Sequence, residues 1–193
     1  MDFNKILNYE FDELNNAIQS AKHDYHTFCF ATIQHSIPQT RTVVLRSINK
    51  KKNRIAFHTD QRSPKLSEIN YNNNVSGLFY DKNRRIQLRI IGKAIIEKKT
   101  KKLKSIWSSM KPESKLCYMG PFSPSQKLNY FQSNLPDHNA HNISNENNDF
   151  GYNNFCRITI EIDNLDWLKL HHKGHQRILY NFKPTISAQW ISA

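Results

Sequence analysis

The stretch from Thr40 to Ser47, TRTVVLRS, sets Arg41 and Arg46 at either end of a run of β-branched and aliphatic residues. In a strand, Arg41 shares a face with Val43 and Leu45, and Arg46 shares the other with Thr42 and Val44. At ~3.3 Å per residue their Cα atoms lie about 16 Å apart, too far to grip one small anion. The pair reads either as two anion contacts or as two solvated strand ends. Three further stretches carry groups that hold anions or move protons. FHTDQRSPK offers His58, Thr59 and Lys65. Ser63 as N-cap and Pro64 at the first helical position place that lysine in a first helical turn, where the helix dipole favours an anion. RIQLRIIGKA contributes Gln87, whose amide both donates and accepts. DWLKLHHKGHQR brings Trp167, Lys173, His175 and Arg177 together.

The elements that must position these groups follow from hydrophobic period. Apolar residues at 11, 14, 17 and 21 predict a helix over Phe11–Tyr25. FCFATIQ, TRTVVLRS, NRIAFHTD, VSGLFYD and IQLRIIGKAIIEKK alternate as strands, with NKKKN as a polar hairpin connection. Gly92 marks a bulge or a close backbone approach. Thr100 caps a helix whose face is Leu103, Ile106, Trp107 and Met110, and Pro112 ends it. Residues 133–151 are polar, rich in asparagine and aperiodic, and are expected to form a mobile insertion. FCRITIEID, LDWLKL and HQRILYNF close the chain as strands. Many short strands with few helices indicate a β-barrel or sandwich with helical decoration.

A chain of 193 residues suits one domain with a sizeable core. Its three cysteines form no CxxC pair, the first residues lack a basic start and apolar run, and no stretch is long enough to span a bilayer. A reduced, cytoplasmic protein without a membrane partner is expected. The formal charge of +12 invites a nucleic-acid reading. However, 19 of the 28 basic residues are lysine and 22 asparagines accompany them, the drift of an AT-rich coding sequence. No aromatic residues interleave with the lysine clusters to stack bases, so these read as solvated faces. With five glycines and no glycine-rich phosphate loop, a phosphate must be held by side chains and helix ends.

Taken in order, TRTVVLR, FHTDQRSPK, RIQLRIIGKA and DWLKLHHKGHQR resemble the pyridoxamine 5'-phosphate oxidase-like family of FMN-binding split barrels. The similarity runs from about Ala17 to Ala193. It implies a mainly β fold, an antiparallel Greek-key split β-barrel with peripheral α-helices, as a single FMN-binding domain over 1–193. It implies an FMN-dependent oxidoreductase acting on a small anionic substrate, and a homodimer with FMN at the interface. By the resemblance, Arg41 with Thr42, Val43 and Val44 contacts the FMN phosphate region. His58 and Thr59 line the flavin, Lys65 holds its phosphate and Gln87 bonds its ring. Trp167 and Arg177 complete the site from the partner subunit. Arg46, Trp107, Lys111 and Ser114 fall where the family binds substrate, and His175 with Lys173 falls over the reacting ring.

Two departures stand out. Pro64 replaces a basic residue that the family carries beside Lys65, which points to modest FMN affinity. KGHQR replaces a motif whose first position is arginine, and a lysine is not a neutral substitute for a planar fork. Charge is kept and geometry is not, so the substrate need not be a vitamin B6 phosphate. The alternatives are a flavin carrier or oxidoreductase with another substrate, and a basic nucleic-acid-binding barrel. His138 and His141, taken with Cys117 or with His171 and His172, lack the spacing of a metal tetrad, and no metal is expected. Cys29 and Cys156 sit on strand patterns as packed hydrophobes.

Overall fold

The computed structural model describes residues 2–136 and 145–193, and its contacts group into two compact units. The first comprises Met1–Phe57, Glu68–Ile95 and Thr159–Ala193, and the second His58–Ser67 and Ile96–Ile158.

The first unit opens with α1 (Phe3–Gln19), capped by Asp2, whose carboxylate accepts from the Asn4 and Lys5 N–H groups. Leu7, Phe11, Leu14 and Ala17 form its buried stripe. The helix starts earlier and ends sooner than the periodicity predicts. Leu7 extends the stripe backwards, while a 3-10 turn over Asp24–His26, capped by His23, drops Tyr25 into the core.

Antiparallel strands follow: β1 (Thr27–Gln34), β2 (Ile37–Val44), β3 (Ser47–Asn49), β4 (Arg54–Asp60), β5 (Asn74–Asp81), β6 (Ile86–Glu97), β7 (Phe155–Lys169), β8 (Gln176–Asn181) and β9 (Ser187–Trp190). The sheet order is β2-β1-β5-β6-β7-β4-β3, with β8 pairing β7 and β9 pairing β8. On β5 and β6 alternate residues are buried, so Val75, Phe79, Leu88 and Ile90 face inward while Leu78, Tyr80, Gln87, Arg89 and Ile91 face outward. Phe28, Phe30, Phe57 and Phe79 interlock as stacked and edge-on rings at the centre of this core. Gly92 pairs regularly with Val75, so there is no bulge. A side chain there would collide with the Glu161 backbone, and the glycine serves that close approach.

The opening segment is not one strand. β2 stops at Val44, Leu45 is fully buried, and Arg46 turns to β4 by donating its N–H to the Ala56 carbonyl at 2.8 Å. The simple alternation between the two arginines therefore ends before Arg46, whose side chain is exposed. Helix α2 (Lys65–Tyr71) passes from the second unit into the first.

The second unit contains α3 (Lys101–Ser109), α4 (Pro112–Leu116) and α5 (Asn145–Asn154). Thr100 caps α3 through the Leu103 N–H at 3.1 Å, and Pro112 opens α4 where it was expected to end α3. Leu103, Trp107, Tyr118, Met119 and Phe155 form the core. The expected aperiodic insertion over 133–151 is helical from Asn145 onward. Tyr152 packs on that core, and Asn154 donates to the Tyr118 carbonyl at 2.9 Å. Both of these anchors lie just beyond residue 151, so the composition of the segment itself carries no sign of them. Residues 137–144 of that segment lie outside the described residues.

Candidate functional site

Within the second unit, Lys65 Nζ donates to Thr59 Oγ1 at 3.0 Å and to Ser63 Oγ at 2.5 Å. Thr59 is the penultimate residue of β4 and Ser63 sits in the turn before α2, so strand, turn and helix converge on one ammonium. Both hydroxyls are on residues under a tenth exposed. An ammonium with two hydroxyls provides clustered donors of the kind a phosphate takes. Ser63 is the member that sequence reasoning saw only as a cap. Its hydroxyl faces Lys65, a role visible in the sequence as a Ser two residues before the cation. The helix is only seven residues long, so an anion here would be held mainly by the side chains. His58 stands beside Thr59 with its ring edge-on to Phe155 at 4.9 Å.

Arg41 has a partner that the sequence did not suggest. In the first unit its guanidinium donates to Glu68 Oε2 at 2.8 Å, to the Gln39 carbonyl at 3.2 Å and to the Thr32 hydroxyl. That hydroxyl donates in turn to Glu68, closing a triangle. The Glu68 side chain is 3% exposed, so its charge is balanced by Arg41 and little else. Arg41 pairs across the ladder with Phe30 and lies on its inward face, which is why it meets α2. Its first role is structural. Thr42 and Val43 pair with Cys29 and Phe28, and Val44 with Thr27, along the same ladder.

On the outward face of the first unit, Asp166 accepts two bonds from Arg177, at 3.0 and 2.8 Å, and one from Arg89. Two guanidinium groups on one carboxylate leave one positive charge on the sheet face. Gln87 faces the same way on β6, opposite Tyr80, and its amide has no protein partner among the described residues. A shallow groove of about 590 Å³ crosses this face, lined by Cys29, Ala31, Leu78, Arg89, Ile91 and Leu179 among others.

His175 and Lys173 stand in the exposed β7–β8 connection. His175 Nδ1 accepts the His171 N–H at 3.1 Å. In the neutral ring this leaves the proton on Nε2, aimed outward as a donor. Gly174 between them has φ +124°, a conformation that side chains rarely adopt.

Four expected members are not brought to a site. Trp167 is 3% exposed and donates its indole N–H to Glu10 Oε1 at 3.1 Å, inside the core. Its ladder partner is Ile178, whereas Arg177 pairs with Leu168, so Trp167 and Arg177 face opposite sides of the sheet. Spacing in the chain could not reveal this, because a hairpin intervenes. Trp107 is likewise core, donating to Asn148 Oδ1 at 3.1 Å, with Lys115 over its ring at 5.4 Å. Lys111 and Ser114 belong to α4 and its approach. The lysine is exposed and the serine half-buried, and no hydrogen bond links either side chain to Trp107. Among the described residues no cluster of three side chains is suited to a metal, and His138 and His141 lie outside them. Cys156 is fully buried, which pushes its thiol up to about 12, and Cys29 is half-buried. No helix among the described residues is long and apolar enough to cross a membrane.

Residues 9–98 match the model of the family described as pyridoxamine 5'-phosphate oxidase, FMN-binding domain. A pyridoxamine 5'-phosphate oxidase-related, FMN binding protein from Nostoc punctiforme PCC 73102 is 20% identical, with a TM-score of 0.72 over 96% of each chain. PhzG from Burkholderia lata 383, in complex with tetrahydrophenazine-1-carboxylic acid, is 16% identical, with a TM-score of 0.72 over 97% of this chain and 92% of that one. General Stress Protein 26 from Bacillus anthracis str. Sterne is 17% identical, with a TM-score of 0.51 over 84% of this chain and 99% of that one. No curated protein matches the chain. At these identities the structures establish the fold, a mainly antiparallel split barrel with peripheral helices.

Proposed function

Because residues 9–98 match the FMN-binding domain model of the pyridoxamine 5'-phosphate oxidase type, we propose that this chain is an FMN-dependent oxidoreductase acting on a small organic anion. The observation that carries the reading is the Lys65 ammonium held against the Thr59 and Ser63 hydroxyls. Clustered donors of this kind fit the phosphate of FMN. Bound FMN would supply hydride-accepting chemistry, while the protein supplies position and electrostatics.

The β7–β8 connection suits the anion. Lys173 offers an exposed ammonium and His175 an outward Nε2–H. The ammonium is a point charge on a flexible stem, which attracts an anion without fixing its plane. A carboxylate is served by such a charge. A phosphate that must be oriented for attack on its ring is served better by a fork. PhzG, of the same fold, is seen with a cyclic carboxylic acid, and a substrate of that class is favoured here over pyridoxine 5'-phosphate.

Two copies are proposed to pair over the outward sheet face. Leu78, Tyr80, Ile91 and Ile95 are 38 to 56% exposed there, and they flank the groove. Contiguous exposed apolar residues of this kind mark an interface.

The test is anaerobic titration. Protein loaded with FMN is mixed with cyclic carboxylates and with pyridoxine 5'-phosphate, and the oxidised-flavin absorbance is followed. Bleaching by a carboxylate, with little by the phosphate, is expected. A flavin that binds tightly and stays oxidised with every anion would reduce the function to flavin carriage.

A further inference from the structure

We infer that the recess between α1 and the adjoining ends of β6 and β7, in the first unit, is a second binding site, for a small aromatic carboxylate. It encloses about 420 Å³, within the size range of small-molecule sites. Ile6, Ile86 and Trp167 supply an apolar wall and Tyr9, half exposed, an aromatic rim. Ile6 and Tyr9 lie outside the stretches that carry the flavin-family resemblance, whereas Ile86 and Trp167 lie within them.

The polar floor is already satisfied. Glu10 is 2% exposed, and its two oxygens accept from Trp167 Nε1, Tyr25 OH and both terminal nitrogens of Arg84, all at 3.0 to 3.1 Å. Arg84 is held as well by Asp81 through its Nε at 2.6 Å. A carboxylate so saturated does not recruit a cation or act as a base. It fixes the indole and leaves the ring as wall.

The remaining charge is positive. Lys5 and Lys169 both line the recess, and no carboxylate pairs with either among the described residues. Lys169 follows Trp167 by two residues on β7, so its stem leaves on the indole's side of the sheet. An apolar wall with two ammonium groups at the edge matches a flat apolar body bearing one anionic group. A neutral aromatic uses only the wall, and an inorganic anion only the lysines.

Fluorine NMR titration with 6-fluoro-2-naphthoate tests this, with the alcohol 6-fluoro-2-naphthalenemethanol as the neutral comparison. Sub-millimolar binding of the naphthoate is expected, both without FMN and with the flavin saturating. Reversing the charges with Lys5→Glu and Lys169→Glu is expected to weaken it by about tenfold and to leave the alcohol unaffected. Lys5 is exposed in the first turn of α1, where an acidic residue suits the helix dipole, so a melting curve close to that of the parent is expected for K5E. No binding at millimolar probe, equal binding to the reversed variant, or displacement of the naphthoate by FMN would each overturn the proposal. The last would assign the recess to the flavin.

Discussion

Arg41 and Glu68 lie 27 positions apart and form one partly buried ion pair, 2.8 Å between guanidinium and carboxylate, with the carboxylate side buried and the hydroxyl of Thr32 bridging the two. Removing one side leaves the other uncompensated, which costs about 3 kcal/mol or more. Arg41→Met and Glu68→Met should each lower the urea midpoint markedly. The double variant should recover much of the loss, since an apolar pair removes both charges. Equal, additive losses would show that the pair is not coupled.

Lys65→Met should weaken FMN by one to two decades, the loss of a charge-assisted contact of about 1.5 to 3 kcal/mol. Thr59→Val and Ser63→Ala should each cost less. Quenching of flavin fluorescence on titration measures all three, and an unchanged affinity for the lysine variant would remove the phosphate from this cluster.

Lys173→Arg restores a planar donor in the β7–β8 connection. Turnover of pyridoxine 5'-phosphate should rise more than its binding, because charge attraction tolerates a displacement of about 1 Å that costs ~100-fold in rate. Gly174 should be kept, since its φ of +124° strains any side chain. Steady-state kinetics separate the two effects; a change in KM alone would contradict this argument.

Pairing over the outward sheet face predicts that Ile91→Lys yields a monomer by light scattering with little change in melting temperature. Ile91 is 56% exposed, so a lysine there disturbs no core. A variant that remains dimeric would place the interface elsewhere.

Burial pushes the Cys156 thiol from 9.0 to about 12 and the Tyr180 hydroxyl from 10.0 to about 12. Both groups hold their protons more tightly folded than unfolded. Their contribution to stability is therefore intact below pH 9 and declines as pH rises toward 12. Melting temperature should fall over that window, less steeply in Cys156→Ala. At pH 8 an aromatic disulfide reagent should modify the exposed Cys117 quickly and Cys156 only on unfolding.

Local chemistry was legible in the chain. The alternation in VSGLFYD and IQLRIIGK determines which residues of β5 and β6 face the core, because a strand's period does not depend on what covers it. The Thr100 cap and the approach of Lys65 to Ser63 and Thr59 span at most six residues and follow from short-range geometry. The order of four motifs was enough to reach the FMN-binding domain model that residues 9–98 match. Tertiary structure decided what those residues touch. Arg41 was read as a flavin contact, and α2 brings it a buried carboxylate. Trp167 and Arg177 were read as one site, and the β7–β8 hairpin puts them on opposite faces, with Glu10 from α1 taking the indole N–H. A charged or aromatic side chain is committed by whichever partner long-range packing delivers first. Separation along the chain carries no record of that partner.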